Sequence, residues 1–161
     1  MIVVSDASPL ISLAAVGRLG VLRDLYGRVC IPEQVHHEIT GRGMRLGARE
    51  IADADWIDKV PVSDGRLREV LERSLDSGES EAIALAVELK AELILIDETR
   101  ARAAAMQLGL NVVGVLGVVA LARTRALIPS AREVIEAMRV ATGFRIAPAL
   151  LNDVLASLGE G

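Results

Sequence analysis

The sequence predicts an α/β protein, a three-layer α/β/α sandwich around a mostly parallel central sheet. Three observations carry that expectation. Short apolar runs recur near residues 2, 29, 57, 93 and 112 with helix-like segments between them, the alternation that builds parallel sheets. Hydrophobic residues make up 52% of the 161 residues and aromatics only 2%, so the core must come from Val, Leu, Ile and Ala, which suits strands buried under helices. Two of the runs, IVVS and LILI, lead directly into Asp6 and Asp97, and strand ends in open α/β sheets converge on one crevice.

The elements follow in order. Residues Ile2 to Ser5 read as a buried strand, with Ser8 as N-cap and Pro9 in the first helical position of a helix running to about Val16. Gly17 stops that helix, and RLGVLRDLY forms a second before a strand at Val29 to Ile31. Pro32 opens a helix in which Val35 and Ile39 share a face and Glu38 lies near the C-terminal end. GRGMRLG, from Gly41 to Gly47, has three glycines and two arginines and reads as a loop, a candidate substrate flap. WIDKVPV suits an edge strand, because Pro61 lacks the amide that a central ladder needs.

A polar helix from Asp64 to about Leu75 ends in the turn Asp76-Ser77-Gly78. GESEAIALAVEL is apolar around most of its circumference and predicts a buried helix with Glu79 and Glu81 in its first turn. The strand LILI, a helix from Thr99 to Leu108 capped by Gly109, and the strand VVG come next. Further helices are expected at Leu116 to Ala126, Ser130 to Ala141 and Pro148 to Leu158, the second with a Ser130/Glu133 capping box.

Length and composition bound the function. A chain of 161 residues fits one domain, 1–161, with its own core. The longest apolar stretch, Val112 to Ala122, falls short of the roughly 20 residues that span a bilayer, so no membrane segment is expected. The opening MIVVSD has no basic leader, and the lone Cys30 has no internal disulfide partner and reads as a small buried hydrophobe; a cytoplasmic location is expected. Net charge is −4, against broad adhesion to nucleic acid, but its distribution is uneven. Residues 1–98 hold 11 basic and 18 acidic side chains (−7), and residues 99–161 hold 7 and 4 (+3), all seven basic ones being Arg, suited to bidentate phosphate contact.

The candidate chemistry lies in the acids. Asp6, Glu38, Glu81 and Asp97 come from distant segments that this topology can bring together. Crowded carboxylates raise one another's pKa unless a cation neutralises them, and oxygen donors select a hard divalent ion, Mg²⁺ or Mn²⁺. Such a site favours metal-assisted phosphodiester hydrolysis. Most of the acids also have a plain reading: Asp6 as a turn former, Glu38 as a solvated helix residue, Glu79 and Glu81 as complements to a helix dipole, and Glu98 with Arg100 as a local ion pair, whereas Asp97, closing an apolar parallel strand, must be exposed at the sheet edge or paired. Ser8 can hold a carboxylate or a metal-bound water, or simply cap its helix. His36 and His37 lack a second histidine at zinc-ligand spacing, and P-loop, GxGxxG and GxSxG motifs are absent, which disfavours zinc enzymes, nucleotide kinases, dehydrogenases and serine hydrolases.

The segments VVSDASPLISLAAVGRLGVL, VCIPEQVHHEI, GESEAIALAVELKAELILIDETRAR, LGLNVVGVLGVVALARTRALIPS and GFRIAPALL together resemble the PIN-domain family, closest to its small stand-alone branch related to VapC-like toxins. That resemblance implies Mg²⁺- or Mn²⁺-dependent ribonuclease activity with Asp6, Glu38, Glu81 and Asp97 as catalytic and metal-binding quartet, and Glu79 and Glu98 in reserve. It also implies a small antitoxin partner and a homodimer, to which Val112 to Ala122 would contribute. The sequence departs from the toxin pattern at Glu81, where Asp is usual, and at Ile96, where a polar Thr-x-Asp pattern is common.

Three readings compete. The first is an endoribonuclease cutting single-stranded RNA, with Arg42 and Arg45 in the flap and Arg100 and Arg102 beside the acids contacting phosphates. The second is a catalytically weak or inactive module of the same fold that binds RNA or protein. The third, a phosphotransfer receiver or phosphatase, needs a lysine just after a late strand, and only Lys59 and Lys90 are present.

Overall fold

A computed structural model describes residues 1–41 and 47–161. Arg42 and Arg45, the proposed flap arginines, lie outside the described residues. Five strands, β1 (Val3–Ser5), β2 (Val29–Ile31), β3 (Ile57–Lys59), β4 (Leu93–Leu95) and β5 (Val112–Val113), form one sheet in the order β3-β2-β1-β4-β5. Every pairing is parallel, so the sheet expected to be mostly parallel is entirely so among the described residues. Each strand lies within a residue or two of where the apolar runs put it, and β3, the strand followed by Pro61, is an edge strand as expected.

The helices are α1 (Ala7–Ala15), α2 (Gly20–Tyr26), α3 (Glu33–Thr40), α4 (Ala48–Asp53), α5 (Arg66–Leu71), α6 (Ser77–Glu88), α7 (Thr99–Gln107), α8 (Val115–Thr124), α9 (Ala131–Thr142) and α10 (Pro148–Ser157). On one side α1, α8 and α9 pack together and α2 contacts both α8 and β2; on the other α6 contacts β1 and β4 and is flanked by α5 and α7. This is the three-layer α/β/α sandwich. α3 contacts both α1 and α6, so it spans the mouth between the layers. The core is aliphatic as composition required: Leu10, Leu13, Ile31, Ile83, Leu85, Ile94, Leu95 and Ile96 are all fully buried. At about 1.5–3 kcal/mol per buried side chain of this size, this apolar packing is the main force holding the layers together.

Several local expectations need correction. Ser8 does not cap α1; Asp6 occupies the N-cap position, and no side chain caps that helix. The polar helix expected from Asp64 to Leu75 is shortened to Arg66–Leu71, because Gly65 and Asp64 serve as its entrance and the chain turns again before Asp76. α4 was not anticipated. Cys30 is half-buried, since it lies on β2 beside the edge strand β3. Much of the Val112 to Ala122 stretch serves the chain's own core: Val115, Val118, Val119 and Ala122 of α8 are buried in it. No helix among the described residues is long and apolar enough to cross a membrane.

Candidate active site

The strand order creates the site. From β1 the chain steps outward to β2 and β3, then returns to the other side of β1 for β4 and β5, so the switch point falls between β1 and β4. At such a point helices leave in opposite directions and open a crevice at the strand C-termini. Asp6 directly follows β1, and Asp97 lies two residues past the end of β4. The exit of β1 is tied to the end of β4 by the Asp6 amide donating to the Leu95 carbonyl at 2.9 Å.

A cleft of about 380 Å³ opens there, lined by Asp6, Ser8, Glu38, Asp76, Glu79 and Phe144 among others. Asp6 is 6% exposed and Glu79 7% exposed, so both carboxyls are largely out of water. Burial pushes the Asp6 carboxyl up to about 7, and the charges of Asp76, Glu79 and Glu38 push in the same direction, against the Ala7 amide. Glu79 is also carried to about 7, chiefly by burial and then by Asp76 and Glu98, while its bond to the Asp76 backbone opposes the rise. Two carboxyls poised near neutrality by desolvation and by like charges mark a place built to receive positive charge.

The α6 N-terminus organises the far wall. Asp76 is its N-cap: the Asp76 carboxylate accepts the Glu79 amide at 2.8 Å, while the Asp76 amide donates back to the Glu79 carboxylate at 3.2 Å, a reciprocal capping box. This arrangement aims Glu79 at the cleft. Gly78, the next residue of that turn, is where the Glu38 carboxylate comes to rest: a Cβ built there would stand only 2.7 Å from Glu38 Oε2 and nearer still to Oε1. A side chain at that approach would displace the glutamate from its place.

Asp97 does not line that cleft; it lines the neighbouring groove, and Ser8, which does line the cleft, joins the two. Ser8 Oγ donates to Asp97 Oδ2 at 3.0 Å and the Val115 amide donates to its Oδ1 at 2.7 Å. Burial raises its pKa, while these two donors and the nearby Arg102 guanidinium oppose the rise. Ser8 is therefore a link between β1's exit and Asp97, the second of the two roles open to it.

Glu81 is not brought into the cleft. Its Oε1 accepts the Gln34 amide at 3.0 Å and its Oε2 faces Arg68 Nη1 at 3.5 Å, so it joins α6 to the N-terminus of α3 and to α5. The reason is helical geometry: residues two apart point to nearly opposite faces, so only one of Glu79 and Glu81 can look into the crevice. Glu98 caps α7, accepting the Arg100 and Ala101 amides at 2.7 and 3.2 Å, so its carboxylate engages the Arg100 backbone rather than the guanidinium. Arg100 is exposed. Arg102 Nη1 donates to the Ile96 carbonyl at 3.0 Å, beside Asp97. His36 and His37 do not line the cleft.

Asp76 is the participant that sequence reasoning missed. The signal is in the sequence, since Asp76 precedes Glu79 by three residues in the spacing of a capping box, although Asp76-Ser77-Gly78 also has the composition of a turn. Among the described residues, no group of three or more His, Cys, Asp or Glu side chains is arranged to hold a metal ion as it stands.

A doubly wound parallel sheet with buried acids beside its switch point makes this an α/β protein whose candidate site lies at the strand C-termini. Over residues 2–160 the chain matches the family model described as a PIN domain, and it belongs to the PIN-domain family. A comparison with curated proteins gave no match. PIN domains are generally nucleases, so at the coarse level the fold is that of a hydrolase acting on nucleic acid.

Proposed function

We propose that this protein is a divalent-metal-dependent ribonuclease that hydrolyses phosphodiester bonds in single-stranded RNA, with Asp6, Glu38, Glu79 and Asp97 as the groups around the ion. The observation that carries the reading is the pair of carboxyls, Asp6 and Glu79, raised to about 7 in one cleft by burial and by each other's neighbours. The donors are all carboxylate oxygens, which fits Mg²⁺ or Mn²⁺ rather than a softer metal. When bound, such an ion lowers the pKa of a water and stabilises charge developing on the phosphate.

The chain's own residues supply position. Ser8 and the Val115 amide fix the Asp97 carboxylate, so its rotamer is set before any ligand arrives. The capping box does the same for Glu79, and Gly78 leaves room for Glu38. Glu81 is a positioning residue that anchors the N-terminus of α3, the helix that carries Glu38. We further read the protein as the cytoplasmic toxin of a toxin–antitoxin pair, inhibited by a small protein that covers the cleft. A homodimer belongs to the same reading.

The test is cleavage of labelled single-stranded and duplex RNA with Mg²⁺, with Mn²⁺ and with chelator. Metal-dependent cutting of the single strand that is abolished in Asp6→Asn and Asp97→Asn is expected; cutting that persists in both variants refutes the assignment. A second reading, a non-catalytic module that binds RNA or protein, draws on the acids' present arrangement, which does not close on an ion. Calorimetric titration with Mg²⁺ and Mn²⁺ separates the two, since heat of binding lost in Asp6→Asn belongs to the nuclease alone.

A further inference from the structure

The acidic cleft and a second groove share a wall, and part of that wall is Phe144. It is the only phenylalanine in a chain with one Trp and one Tyr besides. It sits half-buried between α9 and α10. On one side it lines the cleft with Asp6, Glu38 and Glu79. On the other it opens onto a groove of about 710 Å³ that runs past Asp97, Arg102 and Arg145 over an apolar floor that includes Leu116 and Ala120.

Besides Asp97, that groove carries two cations, Arg102 and Arg145. Arg145 is exposed, and among the described residues no hydrogen bond or ion pair engages its guanidinium. Arg102 spends Nη1 on the Ile96 carbonyl and keeps its other donors. An aromatic ring gains nothing from facing carboxylates, because its own face carries negative potential. A ring between an acid cluster and two arginines is instead matched to a chain that alternates flat apolar surfaces with anionic groups. Unpaired nucleotides have that alternation, whereas a duplex hides its base faces within the stack.

We propose that Phe144 is a stacking platform for an unpaired nucleobase next to the bond being cut, with Arg102 and Arg145 contacting the phosphates of the strand as it leaves along the groove. The inference rests on the nuclease reading and adds a substrate subsite to it. It makes strand selectivity a property of the loop between α9 and α10 rather than of the acids.

The experiment measures binding apart from cleavage. Asp6→Asn protein is titrated, by fluorescence anisotropy, into a fluorescein-labelled single-stranded oligoribonucleotide and into its duplex. Adding Phe144→Leu weakens the single strand roughly 5- to 100-fold, the usual range for loss of one base–aromatic stack, and leaves the duplex unchanged, while Phe144→Trp stays close to the parent. Single-strand affinity equal in the Leu variant and its parent overturns the proposal. So does equal affinity accompanied by a smaller species on size-exclusion chromatography, which assigns the face to contact between copies. Should the Leu variant fail to fold by circular dichroism, the parent and Trp proteins are tested with 2-aminopurine in the strand: stacking quenches its fluorescence, and unquenched binding refutes the platform. Failure of the nuclease reading is distinct: wild-type protein would show Phe144-dependent binding without metal-dependent cleavage.

Discussion

Replacing Asp6 by Asn should stabilise the metal-free protein, and by an amount that depends on pH. The Asp6 carboxyl rises from 3.8 to about 7 on folding, chiefly by burial and then by the charges of Asp76, Glu79 and Glu38. At about 1.4 kcal/mol per tenfold change in proton affinity, forcing it to ionise costs about 4 kcal/mol of stability above neutrality. Because the folded state holds its proton more tightly than the unfolded chain, the cost is absent below the unfolded value of 3.8, grows as pH rises, and saturates past about 7. Asparagine keeps the shape and removes the charge, but must find partners for its amide, so a net gain of about 2–4 kcal/mol near pH 8 is expected. For a chain of this size that is a rise of about 5–15 °C in thermal midpoint. Near pH 4 the difference should fall below about 0.5 kcal/mol. Urea unfolding of both proteins in chelator across this pH range measures it. A variant that is less stable than wild type near pH 8, or a difference that does not change with pH, refutes the account of a strained acid pair.

Three further outcomes follow from the same geometry. Mg²⁺ at about 100 times its dissociation constant should stabilise wild type by about 2.7 kcal/mol in thermal-shift measurements and leave Asp6→Asn unmoved; equal shifts in both would mean the ion binds elsewhere. Gly78→Ala should keep the fold, since alanine improves helix propensity by up to about 1 kcal/mol, yet lower cleavage about 100-fold, because its methyl group takes the space of the Glu38 carboxylate. Glu81→Gln should lower stability by about 1–3 kcal/mol in urea unfolding through loss of the Arg68 pairing and the charged bond to the Gln34 amide, while Mg²⁺ affinity measured by calorimetry changes little.

The sheet was legible in the sequence because buried parallel strands are short, uniformly apolar and bounded by helical periodicity, so β1, β2, β4 and β5 announce themselves. Pro61 marked β3 as an edge strand by its missing amide. Asp6 and Asp97 were legible for the same reason, each being the first charged residue past an apolar run. The choice between Glu79 and Glu81 was not: both are acids in the first turn of α6, and which faces the cleft depends on the helix's rotation about its axis. That rotation is set by tertiary packing against β1 and β4 and by the capping box at Asp76, neither of which a local reading captures. The role of Ser8 was obscured similarly, since a serine near a helix start is a capping residue by local pattern and a carboxylate partner only once β4 lies alongside β1.

The pairing of β1 with β4 carries a consequence for how the protein comes into being. Val3 to Ser5 lie beside Leu93 to Leu95, about ninety positions later in the chain, and no earlier strand flanks that edge of β1. As the polypeptide emerges from the ribosome, its first strand can find β2 early, but its other edge stays open until residues 93–95 have been made. Contacts of such long sequence separation are slow to form. Asp97 and the Phe144 loop arrive later still, so a nascent or truncated chain lacks the complete crevice. The crevice is therefore complete only after residues 97 and 144 have both been made.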